Sequence, residues 1–299
     1  MRINLLTDAP KHNLALMKIS AYHKMLGDTV KLNEPITGEG LTYGSWLYRR
    51  LYFTDYAGGT SISFSSNGKL AWDYPEAKLP PEIQAIKPDY NLYPNNDFSL
   101  GYTWSYCPRR CSFCCVTEQC NPKDHHSIWA FHDHRFNKIR LLNNNTFSDP
   151  QWRQTFEEIW DAGLVVCDEN GYDLRLLDDE KAEALKRTRF DGYVHFAWDL
   201  MEDEDSIRGG LKIARHYKLN AVVYVLIGYN TTREEDIHRC QVINDVGFDP
   251  YPMPYNGGTK ADRAFKRFIC LRGYRRHQTL FKAWEDYRPN GVHIAHSGV

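Results

Sequence analysis

Short apolar segments typical of β-strands alternate with amphipathic segments typical of helices between residues 99 and 254. The most apolar strand segment is Ala221–Ile227, and a helical pattern over Arg233–Val246 follows it. Strand segments separated by helical patterns of about ten to fifteen residues indicate βαβ units and a parallel sheet. Strands are predicted at 99–104, 138–142, 164–167, 173–177, 192–197, 221–227 and 251–254, and helices at 151–162, 179–187, 205–217 and 233–246. The sequence therefore predicts a parallel α/β fold.

The regions on either side of this alternation have their own patterns. A strand, a helix and a second strand are predicted at residues 2–6, 13–26 and 29–32. The proline-containing stretch at 79–96 is predicted to be a linker. We therefore expect a small N-terminal α/β segment at 1–95, the main α/β region at 96–258 and a basic C-terminal helical extension at 259–299.

The composition restricts the class of protein. The chain has 299 residues, of which 42% are hydrophobic and 25% charged, and this is typical of a soluble globular protein. A net charge of −1 gives no overall attraction to nucleic acid or to an anionic membrane. No apolar run approaches the length of a membrane span, and the N-terminus lacks a signal-peptide pattern. We expect a cytoplasmic protein without a membrane partner, whose eight cysteines bind metal or stay reduced.

Three cysteines form the motif that points to chemistry. Cys107, Cys111 and Cys114 have the spacing C-x3-C-x2-C, directly after a predicted strand. Thiolates this close together on a loop can bind a soft metal centre, including an iron–sulfur cluster. In a four-iron cluster, three thiolates leave one iron open to a small molecule, as catalytic zinc sites keep one position open. The alternative is a non-catalytic zinc module at the same cysteines.

The cysteine spacing, with Phe113 directly before the third cysteine, resembles the signature of radical S-adenosylmethionine (SAM) enzymes. The resemblance implies an enzyme with a partial (β/α)6 TIM-like barrel and a [4Fe–4S] cluster whose open iron binds SAM. It also implies a reductant, such as flavodoxin or ferredoxin, that supplies the electron for cleaving SAM to a 5′-deoxyadenosyl radical. The resemblance leaves open whether the reaction is that of an oxidoreductase or a transferase.

The same resemblance implies SAM contacts at the ends of the predicted strands, where functional groups lie in parallel barrels. An asparagine run after the second strand matches the place where the SAM amino group is held. Further positions match contacts to the SAM carboxylate, the ribose and the adenine. In chain order, the implied SAM-binding residues are Phe113, Asn143, Asn144, Asn145, Asp173, Arg175, Asp199, Gly228, Tyr229, Asn230 and Pro254.

The N-terminal segment resembles the opening of the cobalamin-binding domain that precedes many radical SAM barrels. It is shorter, and Asp8 and His12 do not fit the Asp-x-His-x-x-Gly element that supplies the cobalt ligand. We therefore expect a degenerate Rossmann-like segment that packs on the barrel or binds substrate, and cobalamin is not an expected cofactor.

The basic stretch at 260–282 suggests a substrate class. Its arginines, among them Arg272, Arg275 and Arg276, are interleaved with aromatic residues, a pattern that binds phosphate backbones and bases. A nucleic acid or nucleotide is therefore one substrate hypothesis. In the alternative, the stretch is an amphipathic helix that covers the open side of the barrel. The substrate is then a small molecule or a peptide.

Overall fold

Helices and strands alternate through most of the chain in a computed structural model, which describes residues 1–34, 40–46, 54–59, 79–114, 116, 121–167, 170–276 and 279–287. The chain divides into two compact units. The first unit contains residues 1–144 and 153–166, and the second contains residues 145–152 and 167–299. The domain boundaries expected near residues 95 and 258 stay a prediction.

The described strands and helices have the following bounds. The strands are β1 (Arg2–Thr7), β2 (Thr29–Leu32), β3 (Leu41–Ser45), β4 (Tyr56–Gly58), β5 (Ser99–Gly101), β6 (Lys138–Leu141), β7 (Val165–Val166), β8 (Tyr172–Asp173), β9 (Arg189–Phe190), β10 (Val194–Trp198), β11 (Ala221–Ile227) and β12 (Asp249–Pro254). The helices are α1 (Leu14–Met25), α2 (Pro81–Gln84), α3 (Trp152–Asp161), α4 (Asp179–Arg187), α5 (Glu204–His216), α6 (Arg233–Val246), α7 (Lys260–Cys270) and α8 (Leu280–Glu285).

The N-terminal strands form a parallel sheet in the order β2-β1-β3-β4. Ile3 and Leu5 in β1, one of the two inner strands, are fully buried, together with Leu16 on α1. Helix α1 begins at Leu14 because the side chain of Asn13 accepts a hydrogen bond from the Leu16 N–H at 3.2 Å. The expected small α/β segment is therefore present.

The stretch at 79–96 is packed, in contrast to the linker predicted from its prolines. Tyr90 and Tyr93 are each 4% exposed and lie in a hydrophobic cluster with Met17 and Leu100. The Tyr90 hydroxyl accepts from the Leu100 N–H at 2.9 Å and donates to a main-chain carbonyl at 2.7 Å. The linker prediction was wrong here because aromatic side chains between the prolines enter the core of the first unit.

Parallel pairing continues in the first unit from β5 through β6 to β7. Ser99 lies opposite Ile139, and Lys138 lies opposite Val165. The cysteine motif follows the carboxyl end of β5. That is the edge of a parallel sheet at which functional loops are usually found.

The second unit contains a parallel sheet in the order β12-β11-β10-β8. Alternate residues of β11 are buried, as a strand with one face on the core requires. Helix α6 follows with a capping box between Thr232 and Glu235, and it ends at Gly247 in the left-handed conformation. These strong local signals explain why β11 and α6 match their predicted bounds.

The parallel α/β class is confirmed, and the partial barrel is not. In the described part of the chain the strands form separate sheets, and none of these sheets is closed. The strand predicted at 173–177 is only two residues long, because a 3₁₀ turn over Leu174–Leu176 follows it. The Asp173 carboxylate accepts from the Arg175 N–H at 3.1 Å and so starts this turn.

The C-terminal extension contains two described helices, α7 and α8, with a 3₁₀ turn at Gly273–Arg276 between them. The rings of Phe265, Phe268 and Trp284 pack against one another in its core. None of the helices in the described residues is long and apolar enough to span a bilayer.

Candidate functional site

The three cysteines of the motif lie on one loop of the first unit. Cys107, Cys111 and Cys114 are thiols, and each is partly exposed. The Cys114 N–H donates to the Cys111 carbonyl at 3.0 Å, so the second half of the motif is a tight turn. Phe113 lies in this turn and is also partly exposed. The loop therefore presents thiols that a metal centre can reach.

Asn143 fixes the chain that leads into this loop. Its Oδ1 accepts from the N–H groups of Thr103 and Trp104, at 2.9 and 3.0 Å. Its Nδ2 donates to the Thr103 hydroxyl at 2.8 Å, and the residue is 2% exposed. Asn144 Nδ2 donates to the Ser105 carbonyl at 2.5 Å. Asn143 and Asn144 thus hold the entrance to the cysteine loop, and their contact with SAM stays a prediction.

The donor set suits an iron–sulfur cluster. Three thiols lie within eight residues on an accessible loop, and thiolates are the usual ligands of such clusters. Among the described residues, no group of three His, Cys, Asp or Glu side chains is placed to hold a single metal ion. Each thiolate of a cubane binds a different iron, so its ligands lie further apart than those of one ion. The residues present therefore fit a cluster in their chemistry.

A group of charged residues lies at the ends of β8 and β10 in the second unit. Arg175 forms a two-pronged pair with Asp173, with Nε to Oδ1 at 2.7 Å and Nη2 to Oδ2 at 3.0 Å. Its Nη1 donates to Asp203, and Asn145 Nδ2 donates to Asp173 Oδ2 at 3.1 Å. Burial lowers the pKa of Arg175, but the hydrogen bonds and charges of the two carboxylates outweigh burial and raise it. The structure thus brings Asn145, Asp173 and Arg175 together, and adds Asp203.

Asp199 directly follows β10, close to this group. No described residue donates a hydrogen bond to its carboxylate, in contrast to Asp173 and Asp203. Burial raises the pKa of Asp199 to about 6. The positive charges of Arg175 and Arg239 oppose this rise, and the carboxylates of Asp173 and Asp203 add to it. Asp199 thus lies among charges of both signs at the end of β10.

Gly228 directly follows β11 and has a φ of +70°, and the reason for a glycine here is structural. A β-carbon added there would stand 3.0 Å from the Asp262 carboxylate, so this face of the glycine is already occupied. Next to it, the rings of Tyr229 and Tyr255 meet edge to face at 4.8 Å. Asn230 is exposed, and Pro254 lies opposite Ile227 in the register. The structure brings these positions to one edge of the sheet, and their contact with adenine stays a prediction.

Arg239 on α6 is the main residue that the sequence analysis missed. It is fully buried and donates to main-chain carbonyls at the ends of β10 and β11. An arginine among the buried positions Ile237, Cys240 and Ile243 was the available signal. A charged side chain in such a place needs hydrogen-bond partners, and only the folded structure shows which residues they are.

The predicted nucleic-acid contacts are partly neutralised. Arg272 and Arg275 both pair with the carboxylate of Asp249, Arg272 at 2.6 Å. The side chain of Arg276 lies outside the described part of the structure. Two of the three arginines therefore share one acidic partner, which reduces the positive charge available to a phosphate backbone.

His12 in the N-terminal segment lies against Arg140 and Phe98. The Arg140 guanidinium donates to its Nε2 at 3.3 Å, and the rings of His12 and Phe98 meet edge to face at 5.4 Å. The expectation that this segment does not bind cobalamin stays a prediction.

Comparison with known proteins finds similarity in fold and none in sequence. No protein-family model matches the sequence, and no curated protein matches it. A solved structure of the radical SAM methyltransferase TsrM from Kitasatospora setae, with cobalamin and a [4Fe–4S] cluster bound, is similar with a TM-score of 0.51 and 10% identity. The match covers 85% of this chain and 74% of that one. At this identity the likeness shows a shared fold.

Proposed function

We propose that this chain is a radical SAM enzyme in which Cys107, Cys111 and Cys114 hold a [4Fe–4S] cluster. The observation that carries the proposal is the set of three accessible thiols on one loop at the carboxyl end of β5. The fold shared with a radical SAM methyltransferase supports it, although that likeness does not identify a reaction.

A cluster held by Cys107, Cys111 and Cys114 would supply one-electron reduction of SAM, the chemistry from which hydrogen abstraction follows in this class of enzyme. The chain's own contribution is to hold the cysteine loop and to orient its thiols. Asn143 and Asn144 fix the entrance to the cysteine loop through main-chain hydrogen bonds. This fixes the start of the loop that carries the three thiols.

The charged group of the second unit is proposed to bind SAM. Arg175 pairs with Asp173 and Asp203, and Arg175 and Arg239 both act on Asp199, so three carboxylates stand against two arginines and the group carries more negative than positive charge. SAM carries a net positive charge at neutral pH, through its sulfonium and ammonium groups. Opposite charges of this kind attract most strongly where water is partly excluded. Asp199 then accepts hydrogen bonds from the ribose hydroxyls, and Arg175 orients Asp173.

For the substrate, one observation favours the small-molecule or peptide hypothesis over the nucleic acid. Arg272 and Arg275 are paired with Asp249, so the basic stretch offers less free charge than the sequence suggests. A nucleic-acid substrate therefore remains the less supported proposal.

The test is anaerobic reconstitution with iron and sulfide, followed by dithionite and SAM, with 5′-deoxyadenosine measured by chromatography. The wild type is expected to release it, and Cys111→Ala is expected to release none. Cys270→Ala is the matched control, because Cys270 is an exposed thiol outside the loop, and it is expected to behave like the wild type. Release by Cys111→Ala at the wild-type rate would contradict the proposal.

A further inference from the structure

Among the described residues of the second unit, Arg239 is the largest charged side chain that is buried, and it has no exposed surface. Its Nε is buried and has no hydrogen-bond partner in the described structure. A buried arginine is costly, and an apolar side chain of similar volume often leaves a protein equally or more stable. The groups that Arg239 contacts therefore decide what its burial achieves.

The remaining nitrogens of Arg239 bind the ends of two neighbouring strands. Nη1 donates to the carbonyls of Trp198 and Asp199, each at 3.0 Å. Nη2 donates to the carbonyl of Leu226 at 2.6 Å. One guanidinium thus fixes the main chain where β10 and β11 end.

Arg239 is itself held by a carboxylate. Nη2 donates to Asp236 Oδ1 at 2.7 Å, and the Thr231 hydroxyl donates to the same oxygen at 2.7 Å. Arg233 donates to the other oxygen of Asp236 at 3.1 Å and also pairs with Asp262. The hydrogen-bond network therefore extends from the Asp199 carbonyl to Asp262, the residue that packs against Gly228.

The charged groups that act on Asp199 come from three directions. Asp173 and Arg175 lie at the end of β8, Asp203 precedes α5, and Arg239 lies on α6. The charge of Arg239 lowers the pKa of Asp199 against the effect of burial. Arg239 thus acts on Asp199 in two ways: it donates a hydrogen bond to the main-chain carbonyl of Asp199, and its positive charge acts on the Asp199 carboxylate.

We propose that Arg239 is a positioning residue for the SAM site: it holds the ends of β10 and β11 and so fixes the place from which the Asp199 carboxylate meets the ligand. This inference rests on the proposed function. Arg239 does not touch SAM in this scheme and acts through Asp199.

The experiment compares Arg239→Met and Arg239→Lys in the reconstituted protein, with SAM binding measured across pH. In the wild type, binding is expected to weaken as the pH falls through about 6, because Asp199 becomes protonated. Arg239→Met removes the charge, so the midpoint is expected to move to higher pH. Arg239→Lys keeps the charge but loses the fork, so affinity is expected to fall by roughly tenfold or more with little change in the midpoint.

A second readout is independent of SAM. The Asp199 carboxyl is followed by carbon-13 NMR and assigned with Asp199→Asn, and Arg239→Met is expected to shift its titration to higher pH. Thr231→Val serves if both arginine variants fail to fold, since it removes one bond to Asp236 and should weaken SAM binding.

The outcomes separate the two proposals. A wild type that binds no SAM contradicts the proposed function and with it the SAM-positioning role, while the NMR titration still shows whether the charge of Arg239 acts on Asp199. If the wild type binds SAM while Arg239→Met keeps the wild-type midpoint and titration, Arg239 is merely structural and the inference fails.

Discussion

Gly228 lies against the carboxylate of Asp262, with only 3.0 Å between the place of a β-carbon and Oδ2. Asp262 is fixed there, because it forms the capping box of α7 with the N-cap residue Thr259 and pairs with Arg233. The glycine at the end of the most apolar strand is therefore required by packing and by its φ of +70°.

We accordingly expect Gly228→Ala to lower the free energy of unfolding by about 1–3 kcal/mol, from the positive φ and the contact with Asp262. Gly209→Ala is the matched control, since Gly209 lies in α5 with open space around it. It should raise stability by about 0.5–1 kcal/mol. Urea unfolding measures both, and equal effects would show that Gly228 is not constrained.

The second prediction concerns Asn143, whose Oδ1 satisfies two buried N–H groups. Asn143→Ala leaves both without a partner, at a cost of about 2–4 kcal/mol, and should reduce the iron bound on reconstitution. Asn143→Asp keeps the acceptor oxygen, so it should lose less stability and less bound iron than Asn143→Ala. If Asn143→Ala binds as much iron as the wild type, the entrance to the loop does not depend on this residue.

The third prediction concerns the pH dependence of stability through Asp199. Folding raises its pKa to about 6, so its contribution to stability is fully present below the unfolded value and is lost as the pH rises through about 6. Asn has no charge to bury, so Asp199→Asn should be more stable than the wild type at pH 8, by on the order of 2 kcal/mol.

At pH 5 the stability advantage of Asp199→Asn over the wild type should shrink. The variant should bind SAM weakly at both pH values. Urea unfolding at the two values tests this. An equal difference in stability at pH 5 and pH 8 would mean that Asp199 does not titrate between them.

The fourth prediction concerns Asp249, the shared partner of Arg272 and Arg275. Wild-type retention on immobilised tRNA should be weak and lost at modest salt. Asp249→Asn releases both arginines, so the slope of log affinity against log salt should steepen by about one to two. Strong retention of the wild type, lost in Arg275→Glu, would instead favour a nucleic-acid substrate.

Local signals predicted the helices and strands best. The apolar run of β11, the cap at Thr232 and the glycine at 247 each act within a few residues, and these elements have their predicted bounds. The strand predicted at 173–177 was too long because the Asp173 side chain redirects the chain into a turn. Its two-residue pairing with β10 is a tertiary outcome that the apolar pattern does not reveal.

The candidate site was predictable only in part. The cysteine spacing pointed to its proposed metal-binding loop, and the family resemblance pointed to Asp173, Arg175 and Asp199, whose contact with SAM stays a prediction. The roles of Arg239, Asp203 and Asp262 depend on contacts between residues far apart in the sequence. Likewise, the pairing of Arg272 and Arg275 with Asp249 depends on the packing of the C-terminal segment.

The most direct test of the account is electron paramagnetic resonance of the anaerobically reconstituted, reduced protein, with and without SAM. The account predicts the signal of a reduced four-iron cluster that changes when SAM is added and is absent from Cys107→Ala, Cys111→Ala and Cys114→Ala. A protein that instead binds stoichiometric zinc at these cysteines, or whose cluster signal does not respond to SAM, would contradict it.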